Sequence, residues 1–296
     1  MYRVTNNTIF RNSLNDIQST AEAFARAQQQ VSSGRRIQQA SDDPSAAAAG
    51  LRERAEIRAT DRYRDANDSV DSRLRVTDSV LSDIISSITT AQTKAAQGRT
   101  TILTPAQREA VALEIEGAKE AIFTAINTSY RGIYLFAGAD TSSAPYTKAG
   151  TTVSAYQGDS TVVQVDVSRT SSAAVTVDGG SLLQGGGGNV FQTLDALAAA
   201  VRAGNMSGID GGLQDLQATF DSVTAAQGKV GATLSALPAE KLRLDELRRA
   251  SDTRRSQAEE ISLAEAISEM TRAQQAQQAA IAAAGQNQKR SLMDYL

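Results

Sequence analysis

A seven-residue rhythm of apolar side chains constrains this chain more than any other property it has. Ile209, Leu213, Leu216, Phe220, Val223, Gln227, Val230, Leu234 and Leu237 follow one another at alternating spacings of four and three. An α-helix brings such positions onto one stripe, and so long and narrow a stripe calls for a second helix along its length. The same rhythm runs through Val70, Leu74, Thr77, Leu81, Ile84, Ile88, Ala91 and Ala95, and more briefly through Val111, Ile115, Ala118, Ile122 and Ala125. Near the N-terminus, Phe10, Leu14, Ile17, Ala21, Phe24, Gln28 and Val31 form a further stripe. The chain therefore reads as mainly α, an elongated rod of long antiparallel helices with coiled-coil-like packing from both termini.

Punctuation between the stripes sets the boundaries. The first helix stops at Ser32-Ser33-Gly34, and the next begins at Ser41-Asp42-Asp43-Pro44, where Asp43 can cap orphan amides and Pro44 suits the first helical position. From Pro44 to about Gln97 only Gly50 interrupts, so one helix there would extend roughly 80 Å at 1.5 Å per residue. Thr104, Pro105 and Gln107 spell a capping box for a returning helix. Pro238 follows directly on Leu237, which predicts a kink or local break before Leu242, Leu244 and Leu247 continue the stripe.

Between residues 139 and 188 the composition changes to Thr, Ser, Val and Gly. Val163, Val165 and Val167 alternate with polar residues, as do Val175 and Val177, the pattern of short strands in a β-rich insertion. The aromatic cluster from Tyr130 to Phe136 reads as core for a small sheet. Gly185 to Gly188 reads as a flexible linker, because no Gly-Lys-Ser or Gly-Lys-Thr follows to make a phosphate loop. The domains are then terminal segments 1–43 and 256–296, a helical part of 44–138 and 189–255, and an outward insertion of 139–188.

Composition narrows the chemistry. The chain has no Cys and no His, which removes thiol nucleophiles, imidazole bases and nearly all zinc sites. Asp42 and Asp43 are adjacent but have no further ligands beside them, so a capping role outweighs a metal site. Arg35 and Arg36 read as solvated turn arginines. With no nucleophile, base and orienter in view, the expectation is a non-enzyme without catalytic residues, metal or cofactor. A net charge of −3 with mixed signs gives no footprint for nucleic acid or an anionic membrane. Met1 to Asn7 lacks the apolar run of a secretory signal.

The two ends carry the sharpest expectation. Residues 10–31 offer five large apolar side chains worth about 1.5–3 kcal/mol each if buried, against about 1–2 kcal/mol of backbone entropy per residue. The C-terminal stretch places Ile261, Ile267, Met270, Ile281 and Leu292 on one side, with Gln274 and Gln277 among them. Both ends are marginal alone, which predicts an assembly domain disordered in the monomer and ordered against other subunits. Phe10, Leu14, Ile17, Phe24, Val31, Ile267, Met270, Ile281, Leu292, Tyr295 and Leu296 are its expected interface, with Asp43 and Pro44 as the helix-corner cap.

Ser33-Gly34-Arg35-Arg36-Ile37 followed by Ala40-Ser41-Asp42-Asp43-Pro44 resembles the N-terminal signature of the bacterial flagellin family. Met1 to Asn7, the Asp-Asp-Pro corner, Leu135-Phe136-Ala137-Gly138, Tyr156-Gln157-Gly158-Asp159 and Ser291 to Leu296 look like the branch of that family found at the hook–filament junction. Ser262 and Pro238 depart from that pattern. The resemblance implies a structural adaptor joining the flagellar hook, through the first hook-associated protein, to the flagellin filament. It also implies other copies in a ring and a flagellar export chaperone as partners, type III export without a cleavable signal, and an extracellular location. A filament-forming flagellin and a cytosolic coiled-coil scaffold are the alternatives.

Overall fold

The computed structural model describes residues 6–100, 102–185 and 188–293. Its elements in chain order are α1 (Asn6–Ser33), α2 (Pro44–Gly98), α3 (Pro105–Ile126), β1 (Ser129–Tyr130), β2 (Ile133–Tyr134), β3 (Lys148–Ala149), β4 (Thr152–Val153), β5 (Gln164–Asp166), β6 (Ser172–Ala174), α4 (Gly179–Leu182), β7 (Gln184–Gly185), β8 (Gly188–Asn189), α5 (Val190–Ala203), α6 (Met206–Glu259) and α7 (Leu263–Met293). The fold is mainly α. The chain divides into two compact units, one of residues 1–59 and 246–296 and one of residues 60–245, and α2 and α6 contribute to both.

The core of the 60–245 unit follows the seven-residue rhythm closely. Ile209, Leu216, Val223, Val230 and Leu237 of α6 are buried at intervals of seven, while Leu213, Phe220 and Leu234 between them are partly buried. Leu74, Leu81, Ile84, Ile88, Ala91 and Ala95 of α2 belong to the same core. On α3 the most buried line is Ala112, Ile115, Ala118, Ile122 and Ile126, so Val111 and Ala125 flank the stripe. Thr104 and Gln107 form the expected capping box, with Pro105 at the start of α3. Asn189 caps α5, and Gly204 ends it.

Pro238 does not break its helix. α6 runs unbroken through it, and the next seam position after Leu237 is Leu244, again buried. Pro238 itself is exposed, so its ring and missing donor fall away from the seam, and packing on the buried face outweighs the roughly 3 kcal/mol a helical proline costs. Leu242 and Leu247 do not extend the stripe, since both are exposed.

The described residues form four separate antiparallel pairs of two- or three-residue strands: β1–β2 just before the insertion, β3–β4 and β5–β6 within it, and β7–β8 at its end. Such pairs are too short to stand alone, so helices hold them. Asn67 of α2 donates to the carbonyl of Val167 at 2.7 Å, and Lys119 of α3 donates to the carbonyl of Thr151 at 3.0 Å and pairs with Asp195 of α5. Val163, Val165 and Val167 alternate with exposed residues 162, 164 and 166; Gln164–Asp166 pairs with Ser172–Ala174, and the Val175 amide donates to the Val163 carbonyl at 2.9 Å just past that ladder. The two ends of the glycine run are paired, where its composition predicts a flexible linker, and Gly186 and Gly187 lie outside the described residues. Gln184–Gly185 pairs with Gly188–Asn189, and Gly185 sits so close to α6 that a Cβ would lie 2.7 Å from the Asp215 carbonyl oxygen and 2.8 Å from Thr219 Oγ1.

The aromatic core forms against a helix. Phe136 is buried, and Tyr146 packs edge-on to Phe191 of α5 with centroids 5.1 Å apart and lies 5.6 Å from Tyr156. The Tyr156 hydroxyl donates to the carbonyl of Phe136 at 2.9 Å, with that of Asp159 also within reach. The Tyr146 hydroxyl donates to the carbonyl of Gly179. Burial pushes both phenols up, Tyr156 to about 12, so each donates as a neutral group at pH 7. Leu135 to Gly138 and Tyr156 to Asp159 thus form one tied crossing, closed by the Asp159 amide donating to the Ala137 carbonyl at 3.0 Å.

The β1–β2 turn carries backbone strain. Arg131 has φ 54° and Gly132 φ 80°, the two positive angles that a two-residue hairpin of this kind requires and that Asn-Gly meets best. An L-residue in this region costs about 1–2 kcal/mol, and the Arg131 guanidinium over the Tyr130 ring, 5.3 Å from its centroid, returns about 0.5–1 kcal/mol. Arg131→Asn is therefore expected to stabilise the protein by roughly 0.5 kcal/mol, read as a rise in the urea midpoint. A fall would count against the strain.

Candidate assembly surface of the terminal helices

Within the unit of residues 1–59 and 246–296, α1 and α7 pack along each other. The seam on α1 runs through Ser13, Ile17, Thr20, Phe24, Ala27 and Val31, half-buried except for Ala27, which is buried. On α7 it runs through Ala266, Met270, Ala273, Gln277, Ala280 and Ala284. Small residues on α7 let the two backbones approach, which explains why Ala27 rather than Gln28 is the buried position on α1. Gln28 and Gln274 are exposed.

A seam lined this way leaves the larger apolar groups outside it. Phe10 and Leu14 of α1 are 48% and 44% exposed, and Leu263, Ile267 and Ile281 of α7 are 59%, 45% and 52% exposed. The residues expected to form one interface therefore fall into two sets. Ile17, Phe24, Val31 and Met270 are half-buried, while Phe10, Leu14, Ile267 and Ile281 point to solvent. Leu292 falls on α7, and Tyr295 and Leu296 lie outside the described residues, as does the stretch from Met1 to Thr5. Leu263 is an addition that sequence reasoning missed, although its spacing of four from Ile267 places it on the same helix face.

The corner between α1 and α2 is built from backbone and carboxylates. Asp43 Oδ1 accepts from the Ala46 amide at 3.0 Å and from the Ser45 hydroxyl at 2.7 Å, as a helix cap does. Asp42 Oδ2 accepts from the amides of Gln39 and Gln38 at 2.9 and 3.0 Å. Arg36 is exposed, as expected of a turn arginine, but it is also paired: its guanidinium meets Asp43 at 3.4 Å and donates to the carbonyl of Ala258 at 3.1 Å. Glu259 is buried against Gly50, where a Cβ would stand 2.1 Å from its Oε1, and it is neutralised by Arg54. Among the described residues no three acidic side chains gather in a metal-binding group, and no helix is long and apolar enough to cross a membrane.

The amides of Gln39 and Gln38 hold the Asp42 carboxyl below the ordinary aspartate range, and the Ala46 amide with the Ser45 hydroxyl does the same for Asp43. A depressed carboxyl stabilises the corner above its unfolded value and ceases to do so as pH falls through its folded value. The amide resonances of Gln38, Gln39 and Ala46 are therefore expected to titrate with midpoints below the ordinary aspartate value of about 3.9. A midpoint at or above that value would contradict the geometry.

Residues 4–141 match the family model described as the bacterial flagellin N-terminal helical region. Flagellar hook-associated protein 3 of Salmonella typhimurium is 25% identical over 262 residues, covering 79% of this chain and 81% of that protein. In fold, a Vibrio parahaemolyticus protein assigned as flagellar hook-associated superposes with a TM-score of 0.69 at 23% identity, over 74% of this chain and 100% of that one. The flagellar junction protein FlgL of Legionella pneumophila gives a TM-score of 0.61 at 13% identity, over 72% and 100%. The signature around Gly34 to Pro44 lies inside the matched region and forms the corner just described. With that corner and the α1–α7 pair, the chain carries the N-terminal helical region of bacterial flagellins and is similar along most of its length to flagellar hook-associated protein 3.

Proposed function

We propose that this protein is a structural, non-enzymatic adaptor that joins the flagellar hook to the flagellin filament. The observation that carries the reading is the α1–α7 pair, which closes its own seam with small residues and turns Phe10, Leu14, Leu263, Ile267 and Ile281 outward. Large apolar side chains displayed along two paired helices are suited to burial against other helices of the same kind. The likeness to hook-associated protein 3 over most of the chain supplies the setting.

In this reading the partners are other copies of the chain in a ring, the first hook-associated protein on one side and flagellin on the other. Segments 1–43 and 256–296 are the assembly domain, disordered in the monomer, and they order as neighbouring subunits cover them; 139–188 faces outward. The chain reaches the outside of the cell through the flagellar export apparatus, escorted by a chaperone, with no cleavable signal.

Deleting the gene is expected to leave hooks without filaments and to release flagellin monomers into the medium. Normal filaments in the deletion strain would overturn the adaptor role. In sheared flagella the protein is expected as a trace band, whereas a bulk band would make it a filament subunit. Retention inside cells that export other flagellar proteins would make it a cytosolic scaffold.

A further inference from the structure

Nothing in the sequence between α6 and α7 explains why they are two helices. The stretch Ser256-Gln-Ala-Glu-Glu-Ile-Ser-Leu-Ala-Glu265 holds no Gly, Pro or Asn, the residues that ordinarily end a helix. Ser262 with Glu265 matches a helix-start pattern, but a start signal does not end the helix before it. Even so, α6 ends at Glu259 and α7 begins at Leu263.

The hydrogen bonds show where the helical ladder goes. The Glu260 amide still donates to the Ser256 carbonyl at 2.8 Å, the bond of a continuing helix. One residue later the ladder is diverted. The Ile261 amide, which would donate to Gln257 in a helix, donates to the Gly34 carbonyl at 3.1 Å. The Glu259 carbonyl, which would accept from Leu263, accepts from the Arg36 amide at 2.8 Å. The Ala258 carbonyl, which would accept from Ser262, accepts from the Arg36 guanidinium at 3.1 Å. Arg35 and Glu260 form an antiparallel bridge between these contacts.

Two features aim the loop at this point. Gly34 has φ 68°, a backbone turn that lets its carbonyl face Ile261 and that other L-residues resist. Asp43 holds the Arg36 guanidinium from the other side at 3.4 Å. The end of α6 is in turn seated by Glu259, lodged against Gly50 and paired with Arg54 of α2.

We infer that Gly34 and Arg36 impose the break between α6 and α7 by substituting for the helix's own hydrogen-bond partners, and that without them residues 206–293 form one continuous helix. Arg36 is the positioning residue of this element: with one backbone and one side-chain donor it occupies two successive helical carbonyls. The break is a property of the docked α1–α2 loop and is independent of what the terminal helices assemble with.

The test is residue-level 13Cα chemical shifts of the full chain in an assembled sample, where segments 1–43 and 256–296 are ordered, read by solid-state NMR at Glu260, Ile261 and Ser262. The parent is expected to show extended values there. The double variant Gly34→Ala with Arg36→Ala is expected to move all three to helical values while α7 stays helical. Arg36→Lys, which keeps one side-chain donor for Ala258, is expected to retain the extended values. Ser262→Ala, which removes the local start signal and leaves the loop intact, is expected to keep the break. The inference is overturned if the double variant stays extended at 260–262, if its α7 loses helical shifts, or if Ser262→Ala alone fuses the helices.

Discussion

Ile267→Glu combined with Ile281→Glu is expected to leave the isolated chain folded and to abolish its incorporation into flagella. Both side chains are about half exposed, and Glu is at least as good a helix former as Ile, so the cost to the isolated chain stays within about 0.5 kcal/mol per site. At an interface the balance reverses. Each site loses about 1.5–3 kcal/mol of apolar burial and adds a carboxylate that must be desolvated without a partner. A combined loss of even 4 kcal/mol corresponds to roughly a thousandfold in occupancy. Thermal melting followed by circular dichroism, with immunoblots of sheared flagella, separates the two effects. A matching change at Ala276, exposed and on the far side of the helix from those two residues, is expected to be tolerated. Parental incorporation of the double variant would sink the assignment of this face to assembly.

The second large effect belongs to a glycine in the tied crossing of the 60–245 unit. Gly138 has φ 67°, and a Cβ there would stand 1.7 Å from the Asp159 carbonyl oxygen. The obstacle is backbone, so no side-chain rotation relieves it. Gly138→Ala adds about 1–2 kcal/mol for the left-handed conformation. It also displaces Asp159 from the Ala137 carbonyl and from reach of Tyr156, at about 0.5–1.5 kcal/mol for each bond lost. The sum is about 2–5 kcal/mol, and near-ultraviolet circular dichroism in urea is expected to show it as an earlier loss of tyrosine signal. A change below about 1 kcal/mol would mean that the crossing yields without cost.

The parts of this fold that were legible in the sequence are those where one physical cause acts alone. Burial of α6 every seventh residue from Ile209 to Leu237 reads directly from apolar spacing, because a long straight seam averages over local detail. The Thr104–Gln107 box and the Asp43 cap read equally well, since a capping side chain needs only its own helix end. Legibility failed where distant segments compete. Pro238 predicted a kink or local break from local sterics; α6 runs through it without a break, held by packing at Leu237 and Leu244. The α6–α7 break leaves no local mark, because its cause lies more than two hundred residues away at Gly34 and Arg36. On α1 the apolar pattern favoured position 28, but the buried position is Ala27, where close helix approach selects for size. The insertion's strands are too short for alternation to locate their pairing.

The placement of the aromatic rings decides what an optical experiment on this protein reports. There is no Trp, and of the seven Tyr, residues 63, 130, 134, 146 and 156 fall in the 60–245 unit, with Tyr146 packed against both Tyr156 and the Phe191 ring. The described part of the α1–α7 pair contains Phe10 and Phe24 but no Tyr. Intrinsic fluorescence and near-ultraviolet dichroism are therefore dominated by one unit, while far-ultraviolet dichroism counts every helical residue in both. A transition that moves the far-ultraviolet signal and leaves the tyrosine signal flat is the optical signature of the terminal helices alone.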